Sequence, residues 1–149
     1  ESQLDRFLMR IELGYPDTLA ERALLQGKDR RELLAQLQPS LSTQELTSLQ
    51  HGVAQTFVSE ALLDYVQALV DFTRQSPRFQ NGLSPRAGLA LLHAAQAWSF
   101  SDGRKEVLPE DVQAILPAVA GHRLRPGAEF SGDSGAALAQ HLLVSVAIP

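Results

Sequence analysis

The sequence contains no cysteine, and this absence excludes several kinds of chemistry. Without thiols the protein cannot have disulfides, a thiolate nucleophile or a cysteine-based metal site, and such a composition is typical of a cytoplasmic protein. No apolar run approaches the roughly 20 residues that a membrane-spanning helix requires, so we expect no contact with a membrane. The net charge of −4 argues mildly against a surface that binds nucleic acid.

The residues that most often carry catalysis or bind metals do not form a recognisable pattern. The four histidines are far apart and have no carboxylates at ligand spacing, so we expect no metal site. Glu110 and Asp111 are adjacent, but neighbouring helical positions point in different directions, and two acids suit the positive end of a helix dipole. We expect Arg104, Arg123 and Arg125 to be solvated surface charges.

Most of the chain has the pattern of amphipathic helices. Its 149 residues are enough for one domain with a sizeable core, and 44% of them are hydrophobic. Helix-start signals occur at Asp17, residues 42–45, Ser59, Pro85 and Pro109. Residues 28–37 are either a further helix or a connection, residues 135–146 are a helix or a strand-like tail, and Trp98 is expected in the core. We predict a mainly α protein, a small helical bundle.

One short segment has the period of a β-strand instead. Met9, Ile11, Leu13 and Tyr15 alternate with arginine, glutamate and glycine, and Pro16 ends the pattern. A single strand cannot stabilise itself, so we expect it to belong to a sheet whose other strands lie upstream. The sequence also begins without an initiator methionine, and we interpret it as a piece of a larger protein.

Residues 82–87 (GLSPRA) form the most informative segment of the chain. Ser84 is a favourable N-cap, and Pro85 suits the first helical position, where its missing N–H costs nothing. Arg86 then lies in the first turn, where the helix dipole disfavours a cation by roughly 0.3–1 kcal/mol. A helix N-terminus beside an arginine can bind phosphate, although a surface arginine paired with a carboxylate is the simpler alternative.

Two segments that are far apart in the chain resemble one known family. Residues 4–7 (LDRF), which run into the strand pattern, and residues 82–87 together resemble the MoxR family of AAA+ ATPases. The resemblance continues through residues 102–104 (DGR) and 108–112 (LPEDV) to residues 122–124 (HRL). Each motif alone is weak evidence, but their order, their spacing and the intervening helical pattern make the resemblance strong.

The resemblance implies that Arg6 is an arginine finger, a catalytic residue that reaches in trans into the nucleotide site of a neighbouring subunit. Such a residue needs a guanidinium group at the end of a rigid element, where it can stabilise charge on a transferring phosphoryl group. Judged from its neighbours alone, Arg6 would more simply form an ion pair with Asp5 or Glu1.

The resemblance also implies a nucleotide contact and a division of the chain. Arg86, preceded by Ser84 and Pro85, would be the sensor 2 residue and would contact nucleotide bound to its own subunit. Residues 1–16 would be the C-terminal edge of an α/β nucleotide-binding core, and residues 17–149 would be the helical lid domain.

The sequence has no phosphate-binding loop of its own. Gly27 and Lys28 form its one Gly-Lys pair, but Arg22 stands where such a loop needs its first glycine, and Asp29 replaces serine or threonine. No strand ending in paired acids is present to hold Mg²⁺. We therefore expect ATP and Mg²⁺ to bind the full-length protein, and neither to bind tightly to this fragment, which should be inactive alone.

The resemblance extends to partners. It implies a ring of identical subunits, with a hexamer expected, a chaperone-like role in assembling client complexes, and a von Willebrand factor A-domain partner. A non-enzymatic helical interaction or regulatory module is the main alternative, in which both arginines are structural. A relative of AAA+ proteins that acts on nucleic acid is a further alternative, and salt-dependent DNA binding would identify it.

Overall fold

The computed structural model describes residues 3–27 and 34–148. The described part is mainly helical, which confirms the predicted class. Its α-helices with two described ends are α1 (Thr18–Gln26), α2 (Thr43–Ala54), α3 (Glu60–Gln75), α4 (Pro85–Ser101), α5 (Pro109–Ala120) and α6 (Gly135–Ser145), and 3₁₀ turns lie at Leu4–Arg6 and Ala128–Phe130. Much of the segment predicted as a helix or a connection, residues 28–33, lies outside the described residues.

The chain divides into two compact units, one of Glu1–Arg10 with Gln50–Pro149 and one of Ile11–Leu49. In the smaller unit, every described residue is exposed. Its predicted capping box is confirmed: Glu45 accepts the N–H of Ser42 at 2.7 Å, and Ser42 Oγ accepts the N–H of Glu45 at 3.2 Å. The hydrogen bonds from the backbone and the hydroxyl of Ser42 lower the pKa of Glu45 below its ordinary value.

The core of the larger unit lies among α3, α4, α5 and α6. The buried face of α4 is formed largely by small side chains, which let neighbouring helices approach closely: Ala87, Ala90, Ala94 and Ala95. Leu138 and Leu142 on α6 are completely buried, so the helical alternative for the tail is confirmed. The prediction for Trp98 is wrong, because this side chain is 52% exposed while the alanines of α4 make its core contacts.

The strand predicted around residues 9–15 does not form among the described residues, where no continuous strand is present. Ile11 is 69% exposed, Leu13 93% and Tyr15 completely. A strand needs a partner that completes its hydrogen-bond ladder, and the backbone N–H of Arg10 instead donates to the carbonyl oxygen of Ala118 at 2.9 Å. Alternating polarity alone does not supply that partner.

Candidate functional site

Ser84, Pro85 and Arg86 begin α4 in the way their sequence predicts. The Oγ of Ser84 accepts the N–H of Ala87 at 3.2 Å, and Pro85 lies in the first turn. The side chain of Arg86 is exposed, and within residues 3–27 and 34–148 it has no carboxylate partner. The ion pair expected of an ordinary surface arginine is therefore not found in the described part of the chain.

The loop before α4 is fixed against the end of α3. The N–H of Leu83 donates to the buried hydroxyl of Thr73 at 2.9 Å, and Nε of Arg74 donates to the carbonyl oxygen of Leu83 at 3.1 Å. A Cβ on Gly82 would lie 2.7 Å from the Cα of Arg74, so the close approach requires glycine. These contacts determine where α4 begins and therefore where Arg86 lies.

The structure brings the two arginine motifs together through Asp5. The Oγ of Ser84 lies 3.0 and 3.1 Å from the two carboxylate oxygens of Asp5 and donates a hydrogen bond to them. Asp5 lies in the 3₁₀ turn Leu4–Arg6, and the side chain of Arg6 is exposed. The ion pair between Asp5 and Arg6 does not form, because Asp5 faces Ser84 and Arg123 instead. Glu1, the other partner considered, lies outside the described residues.

Arg123, two residues beyond Gly121 at the end of α5, is not a solvated charge. Its side chain is 5% exposed, which corrects the prediction, whereas Arg125 is exposed as predicted. The Nε of Arg123 donates to Oδ1 of Asp5 at 3.1 Å, and its Nη atoms donate to backbone carbonyl oxygens. No local pattern predicts this burial, because the acceptors near Asp5 lie more than one hundred residues earlier in the chain.

Arg104 and Asp111 form a second ion pair that fixes the start of α5. The two Nη atoms of Arg104 donate to both carboxylate oxygens of Asp111, at 2.7 and 2.5 Å. Asp111 also accepts the N–H of Leu108 at 2.8 Å. The solvated position predicted for Arg104 is therefore wrong. Asp111 lies in the first turn of α5, as expected, and is 2% exposed.

The charge of Asp111 is maintained by these partners. Its burial acts to raise the pKa, but the hydrogen bonds from Arg104 and from the backbone of Leu108, together with the Arg104 charge, lower the pKa of Asp111 below its ordinary value. The same hydrogen bond to Asp111 raises the pKa of Arg104. The ion pair between the DGR and LPEDV motifs thus joins the end of α4 to the start of α5. Because Arg123 follows the end of α5, the position of Arg123 depends on this helix.

An open pocket of about 320 Å³ lies beside the contact between Asp5 and Ser84, with Asn81, His122 and Arg125 on its wall. In the described part of the chain, no group of three or more histidine, aspartate or glutamate side chains is arranged to hold a metal ion. Within the same residues, no helix is both long enough and apolar enough to cross a membrane.

Comparison with known proteins assigns this arrangement to a family. Residues 71–142 match the model of the AAA lid domain, so the match begins near the end of α3 and runs into α6. The chain carries the AAA lid domain of the MoxR family of AAA+ ATPases. It is 37% identical over 133 residues to the protein named Chaperone MoxR1 of Mycobacterium tuberculosis, a match that includes 83% of this chain.

Other relatives and a solved structure agree with this family. The chain is 33% identical over its whole length to the uncharacterized protein YeaC of Bacillus subtilis, and 33% identical over 80% of its length to Protein MoxR of Paracoccus denitrificans. The crystal structure of a presumed ATPase from Cytophaga hutchinsonii superposes on 99% of the chain with a TM-score of 0.85 at 28% identity, and the match covers 48% of that protein.

The chain spans less than half the length of these relatives: 47% of YeaC, 35% of Chaperone MoxR1 and 41% of Protein MoxR. The match to the AAA lid domain supports a lid role for this chain in an AAA+ ATPase. The complete MoxR relatives contain further residues, which this chain does not include. The division between residues 1–16 and residues 17–149, and the roles of Arg6 and Arg86, stay predictions.

Proposed function

We propose that this MoxR-type lid works in a longer ATP-hydrolysing protein, with Arg6 as the arginine finger in trans and Arg86 as the sensor 2 residue in cis. The observation that carries the proposal is the hydrogen bond between Ser84 and Asp5, which joins the start of the helix with Arg86 to the turn with Arg6. Both arginines are exposed and have no side-chain acceptor among the described residues. Guanidinium groups left free on a fixed backbone suit phosphate oxygens.

The described residues fit one face of a nucleotide site. Arg86 offers its guanidinium group and its own backbone N–H, in the first turn of α4, to phosphate oxygens. Ser84 accepts from Ala87 and donates to Asp5, and Pro85 has no N–H, so these two residues contribute by shaping the helix start. ATP with Mg²⁺ supplies the phosphoryl group that is transferred to water, and both would be held mainly by parts of the longer protein that carry its phosphate-binding loop.

The two arginines would serve different subunits. Arg86 would neutralise phosphate charge in its own subunit and link the bound nucleotide to the position of the lid. Arg6 would project across an interface and stabilise the charge that develops on the transferring phosphoryl group of the neighbour. Hydrolysis then requires a ring, and the chain alone is expected to be inactive.

The wider role follows the family. We propose a ring of identical subunits, a hexamer, with a chaperone-like function in assembling client complexes; the relative named Chaperone MoxR1 supports that function. A von Willebrand factor A-domain partner and a cytoplasmic location belong to the same proposal. The net charge of −4 favours protein clients over nucleic acid.

Steady-state ATP hydrolysis by the full-length protein tests the roles of the arginines. Arg6→Ala and Arg86→Ala should each lower hydrolysis, by a factor of roughly 10³ or more for a finger residue, since arginine fingers contribute 10³–10⁵-fold. The exposed Arg22 on α1 gives a control, and Arg22→Ala should retain the activity. If both test variants hydrolyse ATP at the normal rate while folded and assembled, the non-enzymatic alternative replaces this proposal.

A further inference from the structure

Arg123 uses every hydrogen-bond donor of its side chain within the protein. A guanidinium group has five N–H donors, one on Nε and two on each Nη. The Nε donates to the carboxylate of Asp5, Nη2 donates to the carbonyl oxygens of Asp5 at 3.2 Å and Phe7 at 2.6 Å, and Nη1 donates to those of Leu8 at 3.1 Å and Val119. No donor remains for a phosphate group, so Arg123 is not itself a nucleotide-binding residue.

The acceptors of Arg123 lie on both sides of Arg6 in the chain. Within the same turn, the N–H of Arg6 donates to Gln3 and the N–H of Phe7 donates to Leu4, both at 3.2 Å. The Nε2 of His122 lies 3.3 Å from the carbonyl oxygen of Phe7. The backbone that carries Arg6 is therefore held from before and after, while the Arg6 side chain is exposed.

We propose that Arg123 is a positioning residue for Arg6: it holds the 3₁₀ turn Leu4–Arg6 against the end of α5 so that the guanidinium of Arg6 projects in a fixed direction. The inference rests on the proposed function, in which Arg6 acts in the neighbouring subunit. A transition-state contact is effective only when its donor is already oriented, and a misplacement of about 1 Å can cost about 100-fold in rate.

The shape of the Arg123 side chain matters more than its charge. Three of its five acceptors are carbonyl oxygens of residues 5–8, and they surround a planar, forked group. A lysine keeps the charge but concentrates three donors at one point, so it cannot reach the same set of acceptors. Arg123→Lys should therefore fail to replace arginine, whereas a purely electrostatic role would tolerate it.

The test measures ATP hydrolysis by the full-length protein with Arg123→Lys, and Arg22→Lys, at an exposed arginine of α1, is the control. We expect Arg123→Lys to lower kcat roughly 10- to 100-fold while KM for ATP changes less than about twofold, because the nucleotide site of the same subunit is intact. Arg22→Lys should match the wild type. An unchanged kcat for Arg123→Lys overturns the proposal.

Mixed rings separate positioning from a general loss of structure. Subunits with Arg123→Lys are mixed with subunits whose phosphate-binding loop is disabled but whose Arg6 and Arg123 are intact. Hydrolysis should recover, because the intact neighbours supply the finger to the competent sites. Failure to recover, under conditions in which Arg6→Ala subunits do recover, overturns the proposal and leaves the finger assignment standing. A normal rate for Arg6→Ala itself overturns both.

Asp5→Asn gives a second variant in case Arg123→Lys does not assemble. It keeps the size of the side chain and removes the charge that faces Nε of Arg123 and the hydroxyl of Ser84. For Asp5→Asn, a decrease in kcat smaller than the one expected for Arg123→Lys, with the same recovery in mixed rings, supports the proposal. Arg123→Gln then takes the place of Arg123→Lys as the second substitution at this position. Wild-type hydrolysis by both Asp5→Asn and an assembled Arg123→Gln contradicts the proposal.

Discussion

The hydroxyl of Ser84 contacts the carboxylate of Asp5 across 79 positions of sequence, at 3.0 and 3.1 Å. The same oxygen accepts the N–H of Ala87 and so caps the first turn of α4. One side chain thus stabilises the helix that carries Arg86 and fixes the turn that carries Arg6. A change in the position of α4 would therefore also move the turn that carries Arg6.

Ser84→Ala should destabilise the protein more than the loss of a helix cap alone. Removal of an N-cap serine costs about 1 kcal/mol, and loss of the additional hydrogen bond to the Asp5 carboxylate should add roughly 1 kcal/mol more. Ser59→Ala is the matched control, because Ser59 caps α3 with the same 3.2 Å hydrogen bond, to the N–H of Leu62. Urea unfolding of the variants measures both costs.

A double-mutant cycle with Asp5→Ala measures the stability contributed by the hydrogen bond between Ser84 and Asp5. In the Asp5→Ala background, Ser84→Ala should cost no more than Ser59→Ala, because the carboxylate is already absent. Equal costs for the two serine variants in the wild-type background would contradict the link between the motifs.

The pair of Arg104 and Asp111 should make stability depend on pH. The pKa of Asp111 is lower in the folded protein than its ordinary value of about 3.9. The unfolded chain therefore takes up the proton first as the pH falls. The stabilisation is fully present above that ordinary value and is lost as the pH decreases through the lowered pKa of the folded state.

Urea unfolding between pH 7 and pH 3 of the wild type and of Asp111→Asn checks this expectation. The difference in the free energy of unfolding between the two should be constant at neutral pH and should shrink under acid conditions. Glu110→Gln, at the exposed neighbouring position, should follow the wild type throughout. A difference that does not vary with pH would show that Asp111 acts through its shape rather than its charge.

The helix starts could be predicted because their causes are local. Ser84 and Pro85 carry the N-cap and the first-turn proline of α4 within two positions, and Ser42 and Glu45 complete their capping box within four. Each signal concerns atoms that are already neighbours in the chain. The predicted strand does not form among the described residues for the opposite reason: alternation at Met9 and the residues after it describes one strand, and the partner strands that it needs are expected outside this sequence.

The burial of Arg123 was unpredictable for a similar reason. Nothing next to Arg123 in the sequence distinguishes it from Arg125, yet one is 5% exposed and the other has an exposed side chain. The difference depends on carbonyl oxygens near Asp5 that only the folded chain brings close. The family resemblance included the HRL motif but implied no role for its arginine.

We propose that Arg6 serves the neighbouring subunit and that Arg86 serves its own. Rings mixed from two kinds of full-length subunit distinguish these two roles, with one partner always disabled in its phosphate-binding loop. Arg6→Ala is the other partner in one series and Arg86→Ala in the second, and ATP hydrolysis is measured as the mixing ratio changes.

Hydrolysis should recover in the first series, because competent sites of Arg6→Ala subunits receive a finger from the disabled neighbours. Hydrolysis should stay low in the second, because the Arg86→Ala sites lack their own phosphate contact whatever their neighbours supply. Recovery with Arg86→Ala, or none at any ratio with Arg6→Ala, would rule out these roles for the two arginines.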